Sequence, residues 1–180
     1  MLRPIIIASA MLALTACGQQ VATTTDDTAP TPPPATAPAA PSAQEFAQTV
    51  ANSDAFEIQS SQLAAQRAQR QDVKDFAATM VRDHTMTTQQ LTALAPQINL
   101  TPPTPQLDAA KQGQLDTLRG QNGAAFDTAY VDAQVAAHTE AVALFERYAN
   151  GGEPGPLRDW ANETLPKLRE HLTHVQALDQ

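Results

Sequence analysis

From residue 44 onward, apolar positions recur every three or four residues and never alternate cleanly, a pattern that predicts helices and no strand. The first helix is expected over about Ser42 to Arg70. Ser42 stands at its N-cap and Glu45 three residues on, the spacing of a capping box. At about 100° per residue, Phe46, Val50, Ile58, Ala64, Ala65 and Ala68 share one face. A second helix is expected over about Asp72 to Ala95, capped by Asp72, with the stripe Val73, Phe76, Ala77, Met80, Leu91 and Leu94. Pro96 and the cluster Pro102-Pro103-Thr104-Pro105 then break the chain.

A shorter helix is expected over about Gln106 to Arg119, ended by Gly120 and Gly123. Another follows from about Ala124 to Ala149, with Phe126, Tyr130, Val131, Ala141, Phe145 and Tyr148 on one side and Asn150-Gly151-Gly152 as its stop. The last covers about Pro156 to Leu178, with Leu157, Trp160, Ala161, Leu168, Leu172 and Val175 inward. Pro166 inside it predicts a kink or a split. Four long amphipathic helices with short links point to an all-α, up-and-down four-helix bundle with one extra short helix packed on its side.

The residues that interrupt these stripes carry the candidate chemistry. Glu57 falls about 20° from Phe46 on the helical wheel, inside the apolar arc. His84 lies between Met80 and Leu91, His138 between Gln134, Ala141 and Phe145, and His171 one turn past Leu168. Each long helix thus points one imidazole or carboxylate at the core. Glu57, His84 and His138 sit near the midpoints of their helices, while His171 is displaced by about 7 Å along its own. An ionised Glu in a core needs a partner. Three His and one Glu suit a single zinc, copper, iron or manganese ion. The same residues also suit a hydrogen-bonded polar plug, in which Glu57 pairs with one His and the others bond Ser61, Gln134 or carbonyls. Both readings stay open on spacing alone. His174 points to the rim and reads as solvated, and Met80 and Met86 read as core and surface filler. Asp83 projects to another face than His84, so it cannot orient that ring.

The remaining composition narrows the function. A net charge of −8 disfavours a nucleic-acid partner, which needs a basic face. No Ser, Cys or Lys sits in a nucleophile motif and no Gly-rich phosphate loop is present, so an enzyme is disfavoured. The one Cys of the chain excludes an internal disulfide. It follows Arg3, the apolar run from Ile5 to Leu14 and the tripeptide Leu14-Thr15-Ala16, an arrangement that resembles the signal peptide and lipobox of bacterial lipoproteins. That resemblance implies cleavage after residue 16 and lipidation of Cys17, with acyl chains as the membrane anchor. Gly18, where Asp would signal inner-membrane retention, favours the outer membrane, facing the periplasm. Residues 17–43, rich in Pro, Thr and Ala, read as a disordered tether. The folded domain is expected over 44–180.

Several stretches resemble the domain-of-unknown-function 4142 family of bacterial envelope proteins. They are Phe56-Glu57-Ile58, Val73-Lys74-Asp75-Phe76-Ala77, Met80-Val81-Arg82-Asp83-His84, Phe126 to Tyr130, Gln134 to His138, and Leu165-Pro166-Lys167-Leu168-Arg169-Glu170-His171-Leu172. The resemblance implies a ferritin-like bundle whose recurrent polar positions fall on Glu57, Asp83, His84, His138 and His171. Ferritin-like di-iron sites use Glu-x-x-His pairs. Here Val81, Val135 and Leu168 stand three residues before the three His, which disfavours ferroxidase chemistry. The functional expectation is therefore an envelope lipoprotein holding one transition metal in a stress or metal-handling role. Its alternative is a non-catalytic structural or interaction module.

Overall fold

The computed structural model describes residues 39–179, and the expected signal peptide, the lipidation expected at Cys17 and most of the expected tether lie outside them. Helix α1 runs over Ala43–Arg67 and opens with the expected capping box. The Ser42 hydroxyl accepts from the Glu45 amide at 3.3 Å, and the Glu45 carboxylate accepts from the Ser42 amide at 3.0 Å. The helix ends at Arg67 rather than Arg70, because the amides of Gln69 and Arg70 turn outward and donate to the buried carboxylate of Asp127, each at 3.0 Å.

That contact also corrects the expected cap of the second helix. Helix α2 runs over Gln71–Leu94 with Arg70 at its N-cap, not Asp72. Asp127, from another helix, supplies the carboxylate that the turn needs. Asp72 sits instead in the first turn, where its charge complements the helix dipole and pairs with Arg70 at 2.8 Å.

A 3₁₀ turn over Ala95–Ile98 closes α2, with Asn99 left-handed at φ 59°. Helix α3, Ala109–Arg119, is capped by Asp108, whose carboxylate accepts from the Lys111 amide at 2.8 Å; it starts later than Gln106 for that reason. Helix α4 spans Gly123–Gly151 and α5 spans Pro156–Leu178. Gly123 has φ +61°, a left-handed backbone that favours glycine at the start of α4, and a Cβ there would also come 2.9 Å from the side-chain Nε2 of Gln69. Pro166 lies within α5 without splitting it.

The expected all-α bundle of four long helices and one short one is the architecture observed, with no strand among the described residues. Phe46 at the start of α1 stacks on Tyr148 at the end of α4, ring centroids 4.0 Å apart. Arg67 at the end of α1 reaches the Arg119 and Gln121 carbonyls just before α4. Those helices are therefore antiparallel, and so are α2 and α5, since Arg70 donates to the Leu178 carbonyl at 2.8 Å. It follows that α2 and α4 run in the same direction, so their link is not short. It must travel the length of the bundle, the single crossover of ferritin-like topology.

Gln44, Gln48 and Asn52, four residues apart on one stripe of α1, hold that crossover. Gln44 exchanges two bonds with the Thr101 backbone and Gln48 two with Thr104, each amide standing in for a neighbouring strand. Asn52 accepts from the Gln106 amide at 3.1 Å. Helix α3 then packs on α1 and α4.

Two apolar clusters fill the bundle. One lies toward the α1–α2 turn and includes Phe56, Phe76, Met80, Leu115, Phe126 and Tyr130. The other lies toward the opposite end and includes Phe46, Leu91, Phe145, Tyr148, Leu157 and Leu168. At mid-height between them the core holds Asp54, Glu57, Ser60, Ser61, His84, Gln134, His138 and His171, all buried.

Candidate metal centre

His84 from α2, His138 from α4 and His171 from α5 meet in this layer as a near-equilateral triangle. Their ring centroids stand 5.5, 5.5 and 5.8 Å apart. One ring nitrogen of each lies within 4.8 Å of one from each of the others. Bonds of about 2.0–2.1 Å to a first-row metal put two ligating nitrogens at most about 4 Å apart, so binding draws the rings slightly together.

The other nitrogen of each ring is tied to an acceptor. His84 Nδ1 lies 2.8 Å from Asp54 Oδ1, across the α1–α2 interface. His138 Nδ1 lies 3.0 Å from the Gln134 carbonyl one turn back on α4. His171 Nε2 lies 3.0 Å from Asp83 Oδ2 on α2. A carbonyl or an ionised carboxylate only accepts, so each of these nitrogens carries a proton, and in the neutral ring the opposite nitrogen carries the lone pair. Those opposite nitrogens are His84 Nε2, His138 Nε2 and His171 Nδ1, and all three are buried without a partner. Metal-binding histidines are commonly oriented in this way by outer carboxylates and carbonyls.

The outer acceptors are themselves held. Asp54 Oδ2 accepts from Thr88 at 2.9 Å, and Asp83 Oδ1 accepts from Arg82 at 2.7 Å. Burial alone disfavours a charged His84, but the bond and charge of Asp54, with Glu57 and Asp83 behind it, prevail and raise its pKa above the usual 6.5. Burial likewise raises the pKa of Asp54, against the bonds from His84 and Thr88. Burial also acts upward on Asp83, but Arg82 and His171 outweigh it and hold its carboxyl below the usual range. His138 is lowered, chiefly by burial and against the pull of Glu57. His171 is pushed down to about 4 by burial and by repulsion from the other two imidazoles. Two of the three rings are thus held neutral, the form that ligates metal.

Glu57 stands beside the triad rather than within it. Its Oε1 is 4.0 Å from His138 Nδ1, and its Oε2 is buried without a partner. The plug reading offered the imidazoles Ser61, Gln134 or carbonyls as partners, and His138 does take the Gln134 carbonyl. Ser61 instead bonds Tyr130 at 2.8 Å, and the Gln134 amide donates to Ser60 at 3.2 Å, leaving Gln134 Oε1 unpartnered. All five unpartnered buried side-chain atoms among the described residues belong to this one layer. Buried polar atoms are normally paired, so five together mark a place where another group belongs.

Outside the layer, His174 is exposed, its ring edge-on to Phe76; Met80 is buried and Met86 is exposed. Asp54 escaped the sequence reading, although the series Phe46–Val50–Asp54–Ile58 at four-residue spacing placed it in the apolar arc. Asp83 does face away from His84 as expected, and that orientation carries it to His171.

Two clefts flank the layer. One, about 360 Å³, opens between α1 and α4 and reaches Asp54 and His84. The other, about 390 Å³, opens between α2 and α5 and reaches Asp83, His84 and His171. No described helix is long and apolar enough to cross a membrane.

No protein of curated function matches the chain. Among solved structures it is similar to the one described as CopM in the Cu(II)-bound form. The TM-score is 0.66 at 15% identity, over 78% of this chain and 97% of that one, a likeness of fold. The family model described as Domain of unknown function (DUF4142) matches residues 28–178, which takes in every described helix and every residue of the His layer, and the chain belongs to that family.

Proposed function

We propose that this protein binds one transition-metal ion through His84 Nε2, His138 Nε2 and His171 Nδ1, and that it serves metal handling in the bacterial envelope. The observation that carries the reading is the set of three buried, unpartnered ring nitrogens facing one another, each on a ring oriented from behind. An imidazole-rich donor set suits copper and zinc better than the hard cations that prefer oxygen. The copper in the similarly folded CopM makes copper the first metal to offer. Placement in the envelope rests on the sequence alone, on the apolar run before Cys17 and its lipobox-like context.

Elemental analysis of the chain purified without chelator tests this reading. About one metal per wild-type chain, lost in His84→Ala, supports it; no metal in either, after copper, zinc, iron and manganese are offered, refutes it. The polar-plug alternative draws on one observation, that each imidazole already has a protein partner for its other nitrogen. Under that reading His84→Ala lowers the melting temperature and added metal changes nothing.

A further inference from the structure

Both clefts reach His84, one beside Asp54 and the other beside Asp83 and His171. The α1–α4 cleft ends at Asp54 and His84, where the Asp54–His84 bond occupies the Nδ1 edge that faces away from the lone pair. An ion arriving there would have to pass a closed hydrogen bond. The α2–α5 cleft touches two of the three imidazoles, His84 and His171, together with Asp83. His138 lines neither cleft and forms the sealed side, at 1% exposure.

The charges at the two mouths differ in the same sense. Around the α2–α5 cleft, Arg82 is paired with Asp83 and Lys167 with Glu170, which leaves Glu163 as the unpaired charge. Around the α1–α4 cleft, Lys111 faces Glu140 at 3.8 Å, which leaves Arg147. The unpaired Glu163 at the first mouth attracts a cation locally, and the unpaired Arg147 at the second repels one. His171 also has the most accessible support, since Asp83 is 17% exposed and anchored to the surface residue Arg82, whereas Asp54 is 3% exposed.

Resting on the metal-binding reading above, we infer that the metal enters and leaves through the α2–α5 cleft, with His171 as the ligand that opens. Thr164 and Ser53 are small, half-buried residues lining one cleft each, which permits a paired test. Uptake of Co(II) by the purified chain, and its removal by EDTA, are followed by stopped-flow absorbance. Thr164→Trp slows uptake and removal by the same factor, at least tenfold, and so leaves the affinity unchanged, a signature that simple loss of a ligand does not give. Ser53→Trp leaves both rates as in wild type. Should either indole perturb folding, surface charge reversal keeps the test open: Glu163→Arg slows uptake several-fold at low salt, and Arg147→Glu does not. Rates that respond to Ser53 and Arg147 instead, or to both pairs alike, overturn the route while the metal reading stands. A wild-type chain that takes up no cobalt, copper or zinc overturns the metal reading and the route with it.

Discussion

Asp54 Oδ1 lies 2.8 Å from His84 Nδ1, a buried carboxylate on α1 orienting a buried imidazole on α2. The contact does three things at once. It ties the first two helices together at mid-height, it fixes the tautomer that leaves Nε2 bare, and it raises the basicity of that nitrogen. On the metal-binding reading proposed above, Asp54 is a positioning residue, which orients a ligand without being one.

Asp54→Asn keeps the shape and an acceptor oxygen but removes the charge. Metal stoichiometry is expected to stay at one per chain, while affinity falls by about 10–100-fold, the usual cost of losing an outer-sphere carboxylate. Competition titration against a chelator measures it. The His84 resonance, followed by NMR in the metal-free chain, should titrate at lower pH than in wild type. Full affinity in Asp54→Asn would mean that the contact only braces the helices.

The metal-free chain should be most stable near pH 6.5, because its histidines act in opposite senses on either side. His171 titrates at about 4 in the folded state against 6.5 unfolded, so the unfolded chain gains the proton first. Its contribution is lost as pH falls from 6.5 toward 4, and the lowered His138 adds to the same limb. His84 is raised in the folded state, so its contribution is present below 6.5 and lost as pH rises through its folded pKa. Urea midpoints across pH test this. His171→Gln should flatten the acid limb and Asp54→Asn the alkaline one. A profile flat from pH 4 to 8 would contradict both assignments.

The bundle was legible because its signals are local. Ser42 and Glu45 form the capping box their spacing promised, and the stripes through Phe46, Phe76, Phe126 and Leu168 are mostly buried where the 3.6-residue period put them, although Ala65 is exposed and Ile58, Leu94, Ala141, Trp160 and Leu172 are half-buried at the edges of the core. The three imidazoles were legible for the same reason, as polar interruptions of apolar arcs. What escaped the sequence is non-local. Asp127 caps a turn more than fifty residues earlier in the chain, so Asp72 looked like the cap and was not. The direction of α4, and with it the crossover, depends on amides of Gln44 and Gln48 pairing with Thr101 and Thr104, contacts that leave no periodic trace. Asp83 reaches a helix that wheel geometry on α2 alone cannot see.

Asp127→Ala should destabilise the chain by about 1–2 kcal/mol, the loss of a helix cap, since two backbone amides lose their acceptor. Asp127→Asn should recover part of it. Thermal unfolding supplies the number. Hydrogen exchange should show faster opening at Gln69 and Arg70 before any change at the His layer. Wild-type protection of those amides in Asp127→Ala would show that another acceptor serves the turn.

His138→Leu separates the two readings of the layer most cleanly. The variant removes an imidazole whose Nε2 is buried without a partner, and the hydrogen-bond acceptor of His138 is the Gln134 carbonyl of the same helix, with the Glu57 carboxylate no closer than 4.0 Å. His84→Leu, by contrast, would leave the buried Asp54 without its imidazole, with Thr88 as its one remaining donor. An unsatisfied buried nitrogen costs about 1–3 kcal/mol, and an apolar group of similar size does not. The metal-free His138→Leu chain should therefore be more stable than metal-free wild type, by about 1 kcal/mol. Wild type should overtake it once metal is supplied, by about 2.7 kcal/mol of linkage at a hundredfold excess over Kd. Melting temperatures of both chains, with and without copper or zinc, give the crossing. A metal-free His138→Leu chain less stable than metal-free wild type would mean that the imidazole is structural and that the layer is built to stand without an ion.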